Sequence, residues 1–223
     1  MKTLSYSIYF IFLSIFIAQD YMWPTNASNT ITAFFAEERP QRYHAGIDIR
    51  TYGKNGLEIY AIEDGYIEKI KTNYKGYGKT IYLKLKDGNT AVYAHLEKFY
   101  PELDEIVEIL KEEYNSSIIN HTFKKQEFIV KKGEIIGYTG DTGSISGPHL
   151  HFEIRNKDNI SINPLIDFYK IKDTIKPIPK KIAFIPMNYD TKIDSNSDIK
   201  LYNIINGGND NEYFINDTIS VVG

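Results

Sequence analysis

Residues 79–86, Lys79-Thr80-Ile81-Tyr82-Leu83-Lys84-Leu85-Lys86, are followed by Asp87-Gly88-Asn89 and then by Thr90-Ala91-Val92-Tyr93-Ala94-His95. Apolar and polar side chains alternate on both arms, the period of half-buried strands. Gly88 and Asn89 accept the positive φ that a tight turn needs, so the three parts spell a β-hairpin. Upstream, Leu57 to Ile62 and Tyr66 to Ile70 alternate in the same way around Glu63-Asp64-Gly65 and predict a second hairpin. Gly76 and Gly78 lie in the loop before Lys79, where no strand-to-helix transition supports a phosphate-binding role. Downstream the period changes. Leu103, Ile106, Val107, Ile109 and Leu110, set among Asp and Glu from Pro101 to about Tyr114, have helical spacing, and a small helical insertion is expected over about 101–126. Strands resume at Phe128 to Val130, in Lys132-Gly133-Glu134-Ile135-Ile136-Gly137-Tyr138, and at His149 to Ile154 after the Gly-rich loop 139–148. The chain is therefore mostly β, with an antiparallel sheet. Beyond Asn163-Pro164, the stretch Lys172 to Lys181 reads as a linker. Strand patterns at Ile182 to Ile185, Ile199 to Ile205 and Ile219 to Val222 predict a C-terminal β segment that opens a second β domain.

The 223 residues contain no Cys, which excludes disulfides, thiolate metal sites and Cys nucleophiles. Any metal must be held by His, Asp or Glu. The net charge is −3 and no basic run tracks a phosphate backbone, which argues against nucleic acid as a partner. Lys2 precedes an apolar run, Leu4 to Ala18, of the length of a signal-peptide core and too short for a comfortable membrane span, with an uncleaved anchor or a buried N-terminal helix or strand as the alternatives. The expected organisation is a signal peptide over 1–19, a β domain over 20–170, and the linker with its β segment over 171–223. Export without cysteine fits a bacterial periplasm or cell envelope.

There are five histidines, and four fall in short constellations: His44-Ala45-Gly46-Ile47-Asp48, Tyr93-Ala94-His95-Leu96 and Gly147-Pro148-His149-Leu150-His151-Phe152. On an extended strand, residues two apart share a face, so His149 and His151 point together while Leu150, Phe152 and Ile154 form the core face. His44 and Asp48 share a face if the segment between them is extended. A catalytic zinc site keeps three protein ligands and an open position. His44, Asp48 and one of the paired histidines supply that number. No Glu accompanies them as in His-Glu-x-x-His enzymes, so imidazole must do the proton work. His121 matches no motif and reads as a solvated side chain.

The ordered set of His44 with Asp48, Tyr-Ala-His-Leu around His95 and Gly-Pro-His-Leu-His-Phe around His149 and His151 resembles the lysostaphin-type (LytM-like) zinc endopeptidases. The resemblance runs from about Trp23 to Leu165. It implies an antiparallel β-sheet groove, one zinc ion per chain held by His44, Asp48 and His151, and catalytic roles for His95 and His149. It also implies hydrolysis of peptide bonds in peptidoglycan stems or cross-bridges. The insertion 101–126 departs from the family pattern, and it is either an element beside the groove that gates access to it or a family-specific decoration that packs far from the site. The rival reading is a catalytically silent envelope module that binds peptidoglycan or activates another hydrolase, and an envelope protein partner fits either reading. A lipoyl-type carrier would need a lysine at a hairpin tip, where this chain has Asp87-Gly88-Asn89. A plain adhesive protein leaves the histidine pattern unexplained.

Overall fold

The computed structural model describes residues 21–40, 42–125, 127–145, 147–171, 178–207, 213–215 and 218–222. The expected signal peptide, and residues 172–177 of the expected linker, lie outside them. Contacts divide the chain into two compact units, with the boundary between Ile171 and Lys172.

The first unit begins with β1 (Ile31–Ala33), β2 (Glu38–Arg39), β3 (Arg42–Tyr43), β4 (Ile47–Arg50), β5 (Glu58–Tyr60), β6 (Gly65–Thr72), β7 (Lys79–Leu85) and β8 (Thr90–Phe99). It continues with α1 (Pro101–Tyr114), β9 (Ile119–Thr122), β10 (Ile129–Val130), β11 (Ile135–Thr139), β12 (His149–Arg155), β13 (Ser161–Ile162) and α2 (Pro164–Asp167). One antiparallel sheet runs β1-β4-β12-β8-β7-β6-β10, with β9 added to β6, β13 to β12, and β11 joining β5 to β8. The fold is mostly β.

The hairpin at 79–95 forms as read, with β7 paired to β8 and Gly88 at φ 93 in its turn. The second predicted hairpin does not form. β5 pairs with β11, whereas β6 pairs with β7, β9 and β10. The turn Glu63-Asp64-Gly65 thus links strands with different neighbours, because local alternation marks strands but not their partners. Ile47, Ile49, Ile81, Leu83, Leu150, Phe152 and Ile154 are buried in a single core.

Helix α1 starts at Pro101, whose fixed φ suits the first turn, carries Glu102 and Asp104 at its positive end, and stops at Asn115 in the left-handed conformation. Leu103, Val107 and Leu110 are buried in the main core. The rest of the predicted helical insertion is partly strand: His121 sits on β9, which extends the sheet beside β6.

The second unit contains β14 (Lys181–Phe184), β15 (Lys192–Ile193), β16 (Lys200–Asn206), β17 (Tyr213–Ile215) and β18 (Val221–Val222). β14, β16 and β17 form one antiparallel sheet, and β15 pairs with β18. Among the described residues of both units, no helix is long and apolar enough to cross a membrane.

Candidate metal centre and cleft

The β4–β12 ladder sets Asp48 opposite His151 and Arg50 opposite His149. Alternation then puts Ile47, Ile49, Leu150 and Phe152 into the core and these four polar side chains on the other face. Gly46 makes the approach possible: a Cβ there would lie 2.2 Å from the Phe152 carbonyl oxygen. His44, just before it, swings back so that its Nε2 lies 3.1 Å from Asp48 Oδ1 and 3.0 Å from His151 Nδ1. His151 Nδ1 is in turn 3.0 Å from Asp48 Oδ1.

Both imidazoles of this triangle have their outer nitrogen engaged. His44 Nδ1 donates to the Phe34 carbonyl at 2.7 Å, and His151 Nε2 donates to Glu153 Oε1 at 2.9 Å. These tautomers follow from the acceptors, and they leave His44 Nε2 and His151 Nδ1 as lone pairs. With Asp48 Oδ1, three acceptors converge with no proton of their own between them. Such a set is stable around a cation. Where no cation fills the triangle, burial resists charge on His151, but the bonds to Asp48 and Glu153 outweigh it and raise its pKa, so that a proton stands in for the cation. Burial likewise works against the Asp48 carboxylate, and in that same cation-free state hydrogen bonds from His151 and His44 outweigh it and hold its pKa below the usual range. Two neutral imidazoles and a carboxylate are a donor set that suits zinc.

His95 and His149 stand beside the triangle with ring centroids 4.9 Å apart. His95 has φ 63 within β8, where that strand carries one residue more than β7 between the pairs Lys79–Leu96 and Ile81–Tyr93. This bulge is where β8 changes neighbour: Thr90 to Ala94 pair with β12, and Leu96 to Phe99 with β11. A left-handed φ costs a non-glycine residue about 1 kcal/mol, and here it turns the imidazole toward the cleft. His95 Nδ1 donates to the Thr142 carbonyl at 2.9 Å, and His149 Nδ1 donates to the Gly147 carbonyl at 2.9 Å. Each ring therefore keeps Nε2 as an acceptor, that of His149 lying 3.6 Å from Asp48 Oδ1. Burial, the largest influence on His95, lowers its pKa to about 4 and keeps it neutral.

A cleft of about 790 Å³ opens over these residues, with His44, Asp48, His95, His149 and His151 all in its wall. The five positions singled out in the sequence thus meet at one place. No described residue of 101–125 lines the cleft, which corrects the gating expectation. An amphipathic stripe requires a surface to cover, and that surface is the core below β8 and β9.

Glu153 was not read as part of the site. It is 0% exposed and also accepts from Arg155 Nε at 2.7 Å and from the Tyr77 hydroxyl. Burial opposes its charge, but the bonds from His151 and Arg155 prevail and hold its pKa at about 2. The signal was present in the alternation, because Glu153 follows His149 and His151 on the same face. Arg39 is a second omission: its guanidinium lies 3.3 Å from Glu37 and 3.5 Å from Asp48 Oδ2.

The model of Peptidase family M23 matches residues 42–109 and 102–164. Over 114 residues the chain is 32% identical to the DD-carboxypeptidase/endopeptidase Mpg of Neisseria meningitidis serogroup B, covering 51% of this chain and 20% of that protein. Over 112 residues it is 34% identical to the glycyl-glycine endopeptidase ALE-1 of Staphylococcus capitis, covering 49% of this chain and 24% of that one. The matched region spans about a fifth of the length of these relatives. A solved zinc containing peptidase from Vibrio cholerae aligns at 23% identity with a TM-score of 0.49, over 70% of this chain and 41% of that one.

Proposed function

The chain belongs to peptidase family M23, and from that premise we propose that it is a zinc-dependent endopeptidase hydrolysing peptide bonds of bacterial peptidoglycan, in stems or cross-bridges. The observation that carries the reading is the convergence of three lone-pair donors, His44 Nε2, Asp48 Oδ1 and His151 Nδ1, next to two imidazoles whose Nδ1 atoms are fixed on backbone carbonyls and which line the same cleft.

His44, Asp48 and His151 would hold one zinc ion. Bound there, zinc supplies Lewis acidity for the scissile carbonyl and acidifies water enough for attack near neutral pH. The Phe34 carbonyl and Glu153 keep the two ligand imidazoles in the tautomers that binding needs. His95 and His149 divide the proton transfers: one accepts the proton of the attacking water at Nε2, and the other donates to the developing oxyanion or the leaving amine. Their Nδ1–H groups, fixed on backbone carbonyls, hold the rings in place for this exchange. Peptidoglycan lies outside the cytoplasmic membrane, so the reading places the protein in the envelope, with the run Leu4 to Ala18 as its export signal.

Digestion of purified sacculi with mass spectrometry of the products, alongside metal analysis, tests the proposal. Release of peptide-cleaved fragments that stops on chelation and returns with zinc is expected. Undiminished hydrolysis by metal-free protein overturns it. That all five positions stand together favours the enzyme over the silent module.

A further inference from the structure

Arg50 stands across the β4–β12 ladder from His149, one alternate position along from the Asp48–His151 pair. Cross-strand partners share a face at close range, so its guanidinium rises from the surface that carries the zinc donors. There the cleft continues into a second hollow of about 410 Å³, lined by Thr32, Arg50, Tyr52, Gly147, Pro148 and His149 among others. The Arg50 side chain is exposed, with its guanidinium carbon 5.5 Å from the centre of the Tyr52 ring. Tyr52 is 62% exposed and has φ 53, a strained position for a side chain that the core does not use. Thr51, between them, is buried and donates from Oγ1 to the Pro148 carbonyl at 2.9 Å. That bond ties the segment to the loop that presents His149.

The charges of the cleft point the same way. The acidic groups lining the two hollows are Glu37 and Asp48, and both are engaged by Arg39 and, for Asp48, by the histidines. Arg42 and Arg50 have no ion-pair partner among the described residues. A chain with a net charge of −3 thus keeps its cleft supplied with uncommitted guanidinium groups, an arrangement that attracts anionic and repels cationic ligands.

We propose that Arg50, backed by Tyr52, forms a subsite for a carboxylate of the substrate peptide beside the scissile bond, so that peptides with free carboxylates are preferred over their amidated counterparts. The inference rests on the peptidase reading above and names the substrate class for it. A guanidinium grips a carboxylate through two parallel hydrogen bonds, and the ring behind it limits its hydration and its rotamers.

The test uses two fluorescein-labelled cross-linked peptide dimers from peptidoglycan, identical except that one carries free carboxylates and the other carboxamides. With the full chain, the carboxylate form should have about tenfold higher kcat/KM, expressed in KM, as a charge-assisted hydrogen-bond pair implies. Arg50→Gln should bring the two within about twofold and Arg50→Glu should invert the order, with zinc content unchanged. Binding of both dimers to the His149→Ala protein, followed by fluorescence anisotropy, reads the same preference without turnover. Equal binding of the two forms, or full preference in Arg50→Gln, overturns the subsite. If neither dimer is cleaved while the carboxylate form still binds tighter and Arg50→Gln abolishes the difference, the peptidase reading fails and the subsite stands.

Discussion

Each cleft imidazole commits one ring nitrogen to an acceptor, and the other nitrogen then defines what the residue can do. His151→Ala removes a donor atom and is expected to abolish zinc retention. His149→Ala is expected to keep zinc while turnover falls by about 10²–10⁴-fold, the usual worth of a positioned acid or base. Metal analysis and sacculus digestion of both variants check this, and equal zinc loss in the two would show the assignment to be wrong. Glu153→Gln retains shape but loses the charge that orients His151, so zinc affinity in a chelator competition should fall about 10–100-fold. His95 has a folded pKa of about 4 against an ordinary 6.5. The unfolded chain therefore takes the proton first, so the contribution of the neutral ring to stability is complete above about 6.5 and is lost as pH falls toward 4. Urea midpoints measured across that window should drop less steeply in His95→Gln than in the parent. Residue types and spacing were enough to single out the five proposed site positions, which the fold brings to one cleft. Glu153 was legible only as a further residue on the face of His149 and His151; its contact with Tyr77, far away in the chain, is made only by the fold.

At the scale of elements, the site depends on two loops in close contact, with Thr142 Oγ1 and Ser144 Oγ accepting from the Lys79 and Gly76 backbone N–H groups. Gly78 lies against Thr142, where a Cβ would come within 2.3 Å of Oγ1 and 2.4 Å of the carbonyl carbon, and Thr142 supplies the carbonyl that holds His95. Gly76 has a similar positive φ but open space around it. Gly76→Ala should cost only the strain of its backbone, about 1 kcal/mol. Gly78→Ala should cost more in thermal unfolding and should also reduce turnover, because it displaces the carbonyl behind His95. The sequence placed these glycines in a loop and set aside a phosphate role; their real partner is a loop more than sixty residues away. The α1 segment was legible as a helix from its stripe and its Pro101 start. Its docking surface was not, since a period of 3.6 residues names the covered face but not what covers it. With Leu103 fully buried, Leu103→Ala should destabilise the protein by about 2–5 kcal/mol, and removal of 101–126 should lower stability rather than open the cleft.

Across the whole molecule, every proposed site residue belongs to the unit that ends at Ile171, whereas the unit from Lys172 is a set of short strands with Leu201, Phe214, Val221 and Val222 exposed. A protein truncated after Ile171 is therefore expected to bind zinc with the affinity of the full chain, as measured by chelator competition; a large loss would show that the second unit contributes to the site. The order of the histidine motifs, the β alternation and the absence of cysteine determined, without coordinates, the β class of the chain, the chemistry of its donor set and the family it resembles. These are local properties, written in residue types and in periods of two or 3.6. Tertiary structure alone decided which strands pair, that β8 bends at His95 to change neighbours, that the insertion serves the core, and that Arg50 stands opposite His149. Those outcomes depend on contacts between residues far apart in the chain, set by the register and by which apolar faces close on one another, and no local pattern records them.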